Sequence, residues 1–172
     1  MSPLTARAVS MALLGGLTAP LFLAGGLLEW AAFIAWAGFL AAGGDNAALR
    51  KTIPGYIFGA FLAWAAMMLR NQVDVSTGMW LWMPRAGIAA AATLLVLGLA
   101  AKVELLSYLP AGLIGFAAVF GAISIPLMGM SGYERLSGVH LYNPFIQVVV
   151  SLIGGALVGF LSVKLSEALS KK

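Results

Sequence analysis

The chain reads as an all-α protein, a polytopic membrane bundle of about six transmembrane helices, and three observations carry that reading. Hydrophobic residues make up 62% of the 172 positions and charged residues only 9%, and the mean hydropathy is +0.99. A soluble domain of this length would carry roughly a quarter of its residues as Asp, Glu, Lys or Arg. The ten basic and six acidic side chains present are too few to solvate a globule, whereas lipid-facing positions need no charge. The apolar runs also follow one another with little between them. At about 20 residues per crossing, six nearly exhaust the chain, which leaves one integral membrane domain over residues 1–172.

Glycine, proline and charge clusters divide the runs. The first is Ala8–Leu28, interrupted by Pro20 and by Gly25-Gly26. It follows Arg7 as a signal peptide would, but it is too long for such a segment and flows directly into more apolar sequence. The second, Trp30–Gly44, closes on Gly43-Gly44-Asp45-Asn46, a helix stop and turn. The third is Thr52–Leu69, opened by Pro54 in its first turn, where a missing N–H costs little. A polar stretch, Arg70–Pro84, then carries Trp80 and Trp82, residues suited to the headgroup level.

The fourth run is Ala86–Ala101, and Lys102-Val103-Glu104 turns the chain into the fifth, Leu105 to about Ile123. Ser124–Asn143 is the longest connection, and Pro144 to about Val163 the sixth run. Counting Lys and Arg on alternating sides gives an orientation. Arg7, Arg50, Lys51, Lys102, Lys164, Lys171 and Lys172 fall on one side and Arg70, Arg85 and Arg135 on the other. Basic loops stay cytoplasmic, so both termini are expected there, in a bacterial-type inner membrane. The net charge of +4 is accounted for in this way, without nucleic acid.

The two halves resemble each other. Leu27-Leu28-Glu29-Trp30 aligns with Leu105-Leu106-Ser107-Tyr108, and after two extra residues Phe33-Ile34-Ala35-Trp36-Ala37 aligns with Leu113-Ile114-Gly115-Phe116-Ala117. Gly55, Gly59 and Ala63 share one helix face at four-residue spacing, as do Ser151, Gly155 and Gly159. Small residues so spaced let helix backbones approach closely and pack. Three spans per repeat is an odd number, so the second half (about 84–165) is expected upside down relative to the first (about 6–70). Inverted repeats recur in transporters, with solute sites near the repeat interface, although symmetry is an economical way to build any bundle.

Leu27-Leu28-Glu29-Trp30-Ala31-Ala32-Phe33, followed by Phe39-Leu40-Ala41-Ala42-Gly43-Gly44, resembles the first aromatic span of the DUF1097 family of small bacterial inner-membrane proteins. Tyr108-Leu109-Pro110-Ala111-Gly112-Leu113-Ile114-Gly115-Phe116-Ala117-Ala118 resembles its later Pro- and Gly-rich span. The likeness covers most of Gly26–Gly121 through apolar, Gly-rich, aromatic motifs. It implies a location and a topology and brings no catalytic residues with it.

The residues point to no enzyme and to no cofactor. There are no cysteines, and the sole histidine, His140, cannot build a multi-histidine metal site. No nucleophile–histidine–carboxylate pattern and no phosphate-cradling G-x-x-x-x-G-K-[ST] can be read. Glu134, Arg135, His140 and Asn143 form the one polar cluster of the kind a lipid-modifying enzyme would use. A solvated loop explains them more simply.

Glu29 is the most unusual ionisable residue, set between two apolar runs. It is either part of an ion pathway or a carboxylate at the start of the second helix, where the helix dipole favours it. The second and fifth spans are short and aromatic, and short spans in matching positions of two halves point to a transporter's site. The expected solute pathway is Glu29, Trp30, Phe33 and Trp36 with Ser107, Tyr108, Phe116 and Phe120. Gly55, Gly59, Ala63, Ser151, Gly155 and Gly159 are the expected packing residues. Few charges along such a path suit a small neutral or weakly polar solute. A channel or facilitator, assembled as a homo-oligomer in lipid, is thus the leading expectation. A non-transporting scaffold or accessory subunit, binding a protein or lipid partner, is the alternative.

Overall fold

The computed structural model describes residues 1–72, 91–95, 98–99, 102–127 and 129–170. Among the described residues the helices with both ends placed are, in order, α1 Pro3–Ala24, α2 Glu29–Ala41, α3 Asn46–Gln72, α4 Leu109–Ser124 and α5 Pro144–Ser170. A 3₁₀ turn, Glu104–Leu106, precedes α4. Among the described residues no strand forms beyond one isolated bridge, Leu127 with Met130. Most of the expected fourth span lies outside the described residues, as do Trp80, Trp82 and Arg85. Ala91–Leu95 within that span is helical.

Among the described residues three helices, α1, α3 and α5, are long and apolar enough to cross a membrane. The two aromatic helices are shorter. α2 has 13 residues and α4 has 16, so at 1.5 Å per residue they reach about 20 and 24 Å. A hydrocarbon core is about 30 Å thick.

Local chemistry sets most helix ends. Ser2 caps α1, its Oγ accepting the Thr5 N–H at 3.2 Å, and Pro3 takes the first helical position. α1 and α2 close with the same device. Beyond α1 the Leu27 N–H reaches the Phe22 carbonyl and the Gly26 N–H reaches that of Leu23. Beyond α2 the Gly44 N–H reaches Phe39 and the Gly43 N–H reaches Leu40. This Schellman pattern needs a left-handed residue just past the helix end, and Gly26 (φ 69°) and Gly43 (φ 120°) supply it.

The start of α3 departs from the sequence expectation. Asp45 accepts the Ala48 N–H at 2.7 Å and begins the helix at Asn46. Pro54 therefore lies inside α3 instead of in its first turn, and its missing N–H leaves the Arg50 carbonyl without the usual helical partner.

The tightest packing joins α3 to α4 and α2 to α5. A methyl group built on Gly59 would collide with the Gly112 carbonyl, and one on Gly155 with the Ala32 carbonyl. Gly115 lies equally close to the Tyr56 carbonyl, and Gly55 to the Ala111 methyl. Ala63 and Ser151 are buried without measurable exposure, and Gly159 faces the rings of Trp36 and Phe39. All six positions are buried, and Gly55, Gly59, Gly155 and Gly159 face a neighbouring helix. In lipid, where burying apolar surface drives little association, such close backbone approach stabilises the bundle through van der Waals contact. Tyr56 adds a polar tie, donating its hydroxyl hydrogen to the Ala35 carbonyl at 2.8 Å. α1 packs mainly on α5, and its outer face, with Leu13, Leu17 and Leu21, is exposed.

Candidate functional site

α2 begins well inside the bundle. The backbone N–H of Leu28 donates to the Ser151 Oγ at 2.9 Å, and that hydroxyl donates in turn to the Gln147 carbonyl at 2.7 Å. Ser151 lies two helical turns past Pro144, about 10 Å down α5. Gln147 completes the anchor, its Nε2 donating to the Gly26 carbonyl at 2.7 Å. Two side chains of α5 therefore hold the glycine turn between α1 and α2 and satisfy backbone groups that would otherwise be stranded.

Beside this turn lies a cavity of about 270 Å³. Its walls come from Leu23 at the end of α1, Gly26–Trp30, Ala122 and Ile125 at the end of α4, Arg135 and Tyr142 in the long connection, and Gln147. The lining is mainly apolar with a few polar groups, the usual make-up of a small-molecule site.

Among the described residues Arg135 is the largest fully buried side chain, 1% exposed. One terminal nitrogen donates to the Tyr142 carbonyl at 2.9 Å; the other donates to Ala122 and Ile125 carbonyls at 2.9 and 2.8 Å. The guanidinium thus closes the C-terminal end of α4, where unpaired carbonyls and the helix dipole favour a cation. Burial lowers its proton affinity below that of a free arginine. Its Nε–H has no acceptor, and neither does the buried indole N–H of Trp30. An unsatisfied buried donor costs about 1–3 kcal/mol, and both orphans belong to residues lining one cavity.

The polar cluster in the connection splits. Glu134 and His140 are exposed. The Glu134 carboxylate accepts from the Ser131 backbone N–H, which with the Ser131 hydroxyl holds it below the usual carboxylate range. Asn143 is buried, donating to the Leu136 and Gly138 carbonyls at 2.8 and 3.0 Å. Its Oδ1 accepts the Phe145 N–H at 2.9 Å and caps α5. The connection is therefore folded around Arg135, Leu136 and Asn143. Trp64 ties it to α3 by donating to the Leu136 carbonyl at 3.0 Å, and the Arg70 guanidinium lies 4.6 Å from the Tyr133 ring centre.

The residues expected to line a solute pathway take several positions. Glu29 is the first residue of α2, and no side chain caps that helix. Glu29 and Trp30 both line the cavity, with the Trp30 ring against Gly121 of α4. Trp36 is buried, its N–H donating to Ser162 at 3.1 Å, while Phe33 is 39% exposed beside it with ring centres 6.1 Å apart. Phe116 and Phe120 pair at 5.0 Å on α4. Ser107 is exposed and Tyr108 half-buried before the start of that helix. A second cleft, of about 480 Å³, lies there between Ala47, Arg50 and Lys51 of α3 and Val103–Leu105.

The family model of DUF1097, described as a protein of unknown function, matches residues 8–167. The chain belongs to the DUF1097 family. Every residue lining the 270 Å³ cavity falls within the matched region of this DUF1097 chain. Comparison with curated proteins and with solved structures returns no match.

Arg135, Gln147 and Tyr142 join this site without having been singled out as part of it from the sequence. One signal was available. Gln147 is the lone amide in a sixth span whose other polar side chains are the hydroxyls of Ser151 and Ser162, and such a group needs a partner inside the bundle.

Proposed function

We propose that this DUF1097 protein is a small-solute facilitator of two inverted three-helix halves, with both termini cytoplasmic in a bacterial-type inner membrane and no catalytic centre. The correspondence of two helix contacts carries this reading. When Phe33 is aligned with Leu113, Ala32 corresponds to Gly112, and Gly59 already corresponds to Gly155. Gly59 packs on Gly112 and Gly155 on Ala32. Two interfaces with the same register are what a two-fold relation between α2–α3 and α4–α5 would produce.

The cavities support the same relation. One lies at Leu27 and the other at Leu105, which are aligned positions at the entry to the two short helices. Short or broken helices in matching places, each with a cavity at its entry, are the arrangement that alternating access uses. Gly115 against Tyr56 and Gly59 against Gly112 pack α3 on α4 backbone to backbone. Flux then requires helices so packed to move.

Reconstituted protein should pass small neutral or weakly polar solutes faster than empty liposomes do, and Trp36→Ala should change the rate by removing the tie between α2 and Ser162 of α5. Flux equal to that of empty liposomes across the whole panel, unchanged by Trp36→Ala, sinks the facilitator reading. This close helix packing also favours a second reading, a packed scaffold or accessory subunit. That reading expects a stoichiometric partner in native membranes and no flux. Because both small-residue faces are used within the chain, a homo-oligomer would form through another surface, such as the exposed Leu13, Leu17 and Leu21 of α1.

A further inference from the structure

We infer that the cleft at the start of α3 holds the headgroup of an anionic phospholipid, its phosphate met by Arg50 and Lys51. The inference takes only the cytoplasmic side from the facilitator reading and stands apart from transport. It starts from depth. α3 is long and apolar enough to cross a membrane, and between Lys51 and Arg70 it carries no charged residue. At 1.5 Å per residue those two positions lie about 29 Å apart along the helix. A hydrocarbon core is about 30 Å thick, so Arg50 and Lys51 stand at headgroup level on one side and Arg70 on the other.

Charge is the second step. The cleft is lined by Ala47, Arg50 and Lys51 of α3 and by Val103, Glu104 and Leu105, and Lys102 precedes Val103 in the chain. Arg50, Lys51 and Lys102 are all exposed. Among the described residues the salt bridge is Lys164 with Glu167, in the last turns of α5; Glu104 pairs with none of the three cations. Three basic side chains against one carboxylate leave the cleft electropositive. Basic pockets between membrane helices on the cytoplasmic side recognise phosphate-bearing headgroups, and a guanidinium meets a phosphate through charge-assisted hydrogen bonds.

Apolar surface favours a lipid over a free phosphate. Val103 and Leu105, which line the cleft, are exposed, and Leu109 and Leu113 follow Leu105 at four-residue intervals, also exposed. Leu109 and Leu113 share one face of α4, so apolar side chains continue from the cleft along the helix, where acyl chains lie. A free phosphate gains nothing from them. The space is about 480 Å³, roughly sixteen waters at about 30 Å³ each, and admits a glycerophosphate headgroup. A lipid held there also occupies the entry proposed for solute at that end, so binding is measured apart from flux.

The test is native mass spectrometry of the full chain in detergent. It is titrated with dioleoylphosphatidylglycerol or with dioleoylphosphatidylcholine, which has the same chains and no net charge. The anionic lipid should bind at least about tenfold more tightly. Arg50→Gln combined with Lys51→Gln should remove that preference. Arg7→Gln combined with Lys164→Gln, an equal loss of charge elsewhere, should leave it in place. Glu104→Gln deletes no basic residue and so leaves helix insertion alone; it should strengthen binding of the anionic lipid about threefold. Glycerol 3-phosphate at the same concentration should not displace the lipid. The inference is overturned if the two lipids bind alike, if the two double variants lose equally, or if Glu104→Gln does not favour the anionic lipid. Displacement by glycerol 3-phosphate would also overturn it, since the headgroup alone would then be the ligand. Selective binding without flux would contradict the facilitator alone. Flux without selective binding would contradict this site alone.

Discussion

The hydroxyl of Ser151 accepts the backbone N–H of Leu28 at 2.9 Å across 123 positions of sequence. That contact fixes where α2 starts, because the N–H before a helix has no partner within the helix itself. With Gln147 on Gly26, it holds the turn between α1 and α2 against the first two helical turns of α5.

Ser151→Ala removes the acceptor and leaves a shielded N–H behind. We expect a loss of about 1–2 kcal/mol, read as a lower unfolding midpoint in detergent. Ser151→Thr keeps the hydroxyl and should retain most of the stability. Equal loss in both variants would mean that packing at this position, and not the hydrogen bond, is what matters.

Glycine substitutions should separate by neighbour. Gly59→Ala and Gly155→Ala each drive a methyl into a facing backbone carbonyl, which helices relieve only by moving apart. Overpacking of this kind costs about 1–3 kcal/mol or more, so both should lower the thermal midpoint or abolish folding. Gly16 of α1 has nothing within 4 Å of an added Cβ, and Gly16→Ala should be neutral or stabilising by up to about 1 kcal/mol. Circular dichroism melts of the three variants check the ordering.

These contacts also show how far the sequence could be read. The i, i+4 rows of small residues are local patterns, so Gly55, Gly59 and Gly155 could be assigned to packing faces before their partners were known. Gly25-Gly26 and Gly43-Gly44 could be read as helix stops because left-handed caps need glycine. The start of α3 was less legible. Arg50 and Lys51 look like loop in a hydropathy scan, but Asp45 caps the helix ahead of them. Arg135 was harder still. Its burial depends on carbonyls of Ala122, Ile125 and Tyr142, which only the folded connection brings together.

Arg135→Ala should leave the last carbonyls of α4 without a donor inside the bundle. We expect a loss of at least about 3 kcal/mol, with the connection at 124–143 opening to proteolysis. Arg135→Lys retains the charge but not the three-way geometry and should recover part of the loss. A protease pattern unchanged in both variants would contradict the capping role.

The turn at Ser131 should respond to acid. The folded pKa of Glu134 is depressed by the Ser131 hydrogen bonds, so its contribution is complete above the unfolded carboxylate value. It is lost as pH falls through the lower folded value. Ser131→Ala removes the hydroxyl contact and should move the Glu134 titration upward, toward the ordinary carboxylate value. NMR titration of the Glu134 carboxyl carbon checks this, and a titration curve unmoved by the substitution would contradict it.

The central claim is that two oppositely oriented halves place matched cavities on opposite sides of a membrane. Because the chain has no cysteine, single substitutions report sidedness without background. Val139→Cys, 96% exposed in the connection beside the 270 Å³ cavity, and Glu104→Cys, at the second cleft, are the most direct pair. In intact cells a membrane-impermeant maleimide should label Val139→Cys, and it should label Glu104→Cys only after permeabilisation. Labelling of both from the same side would contradict the inverted arrangement and the function built on it.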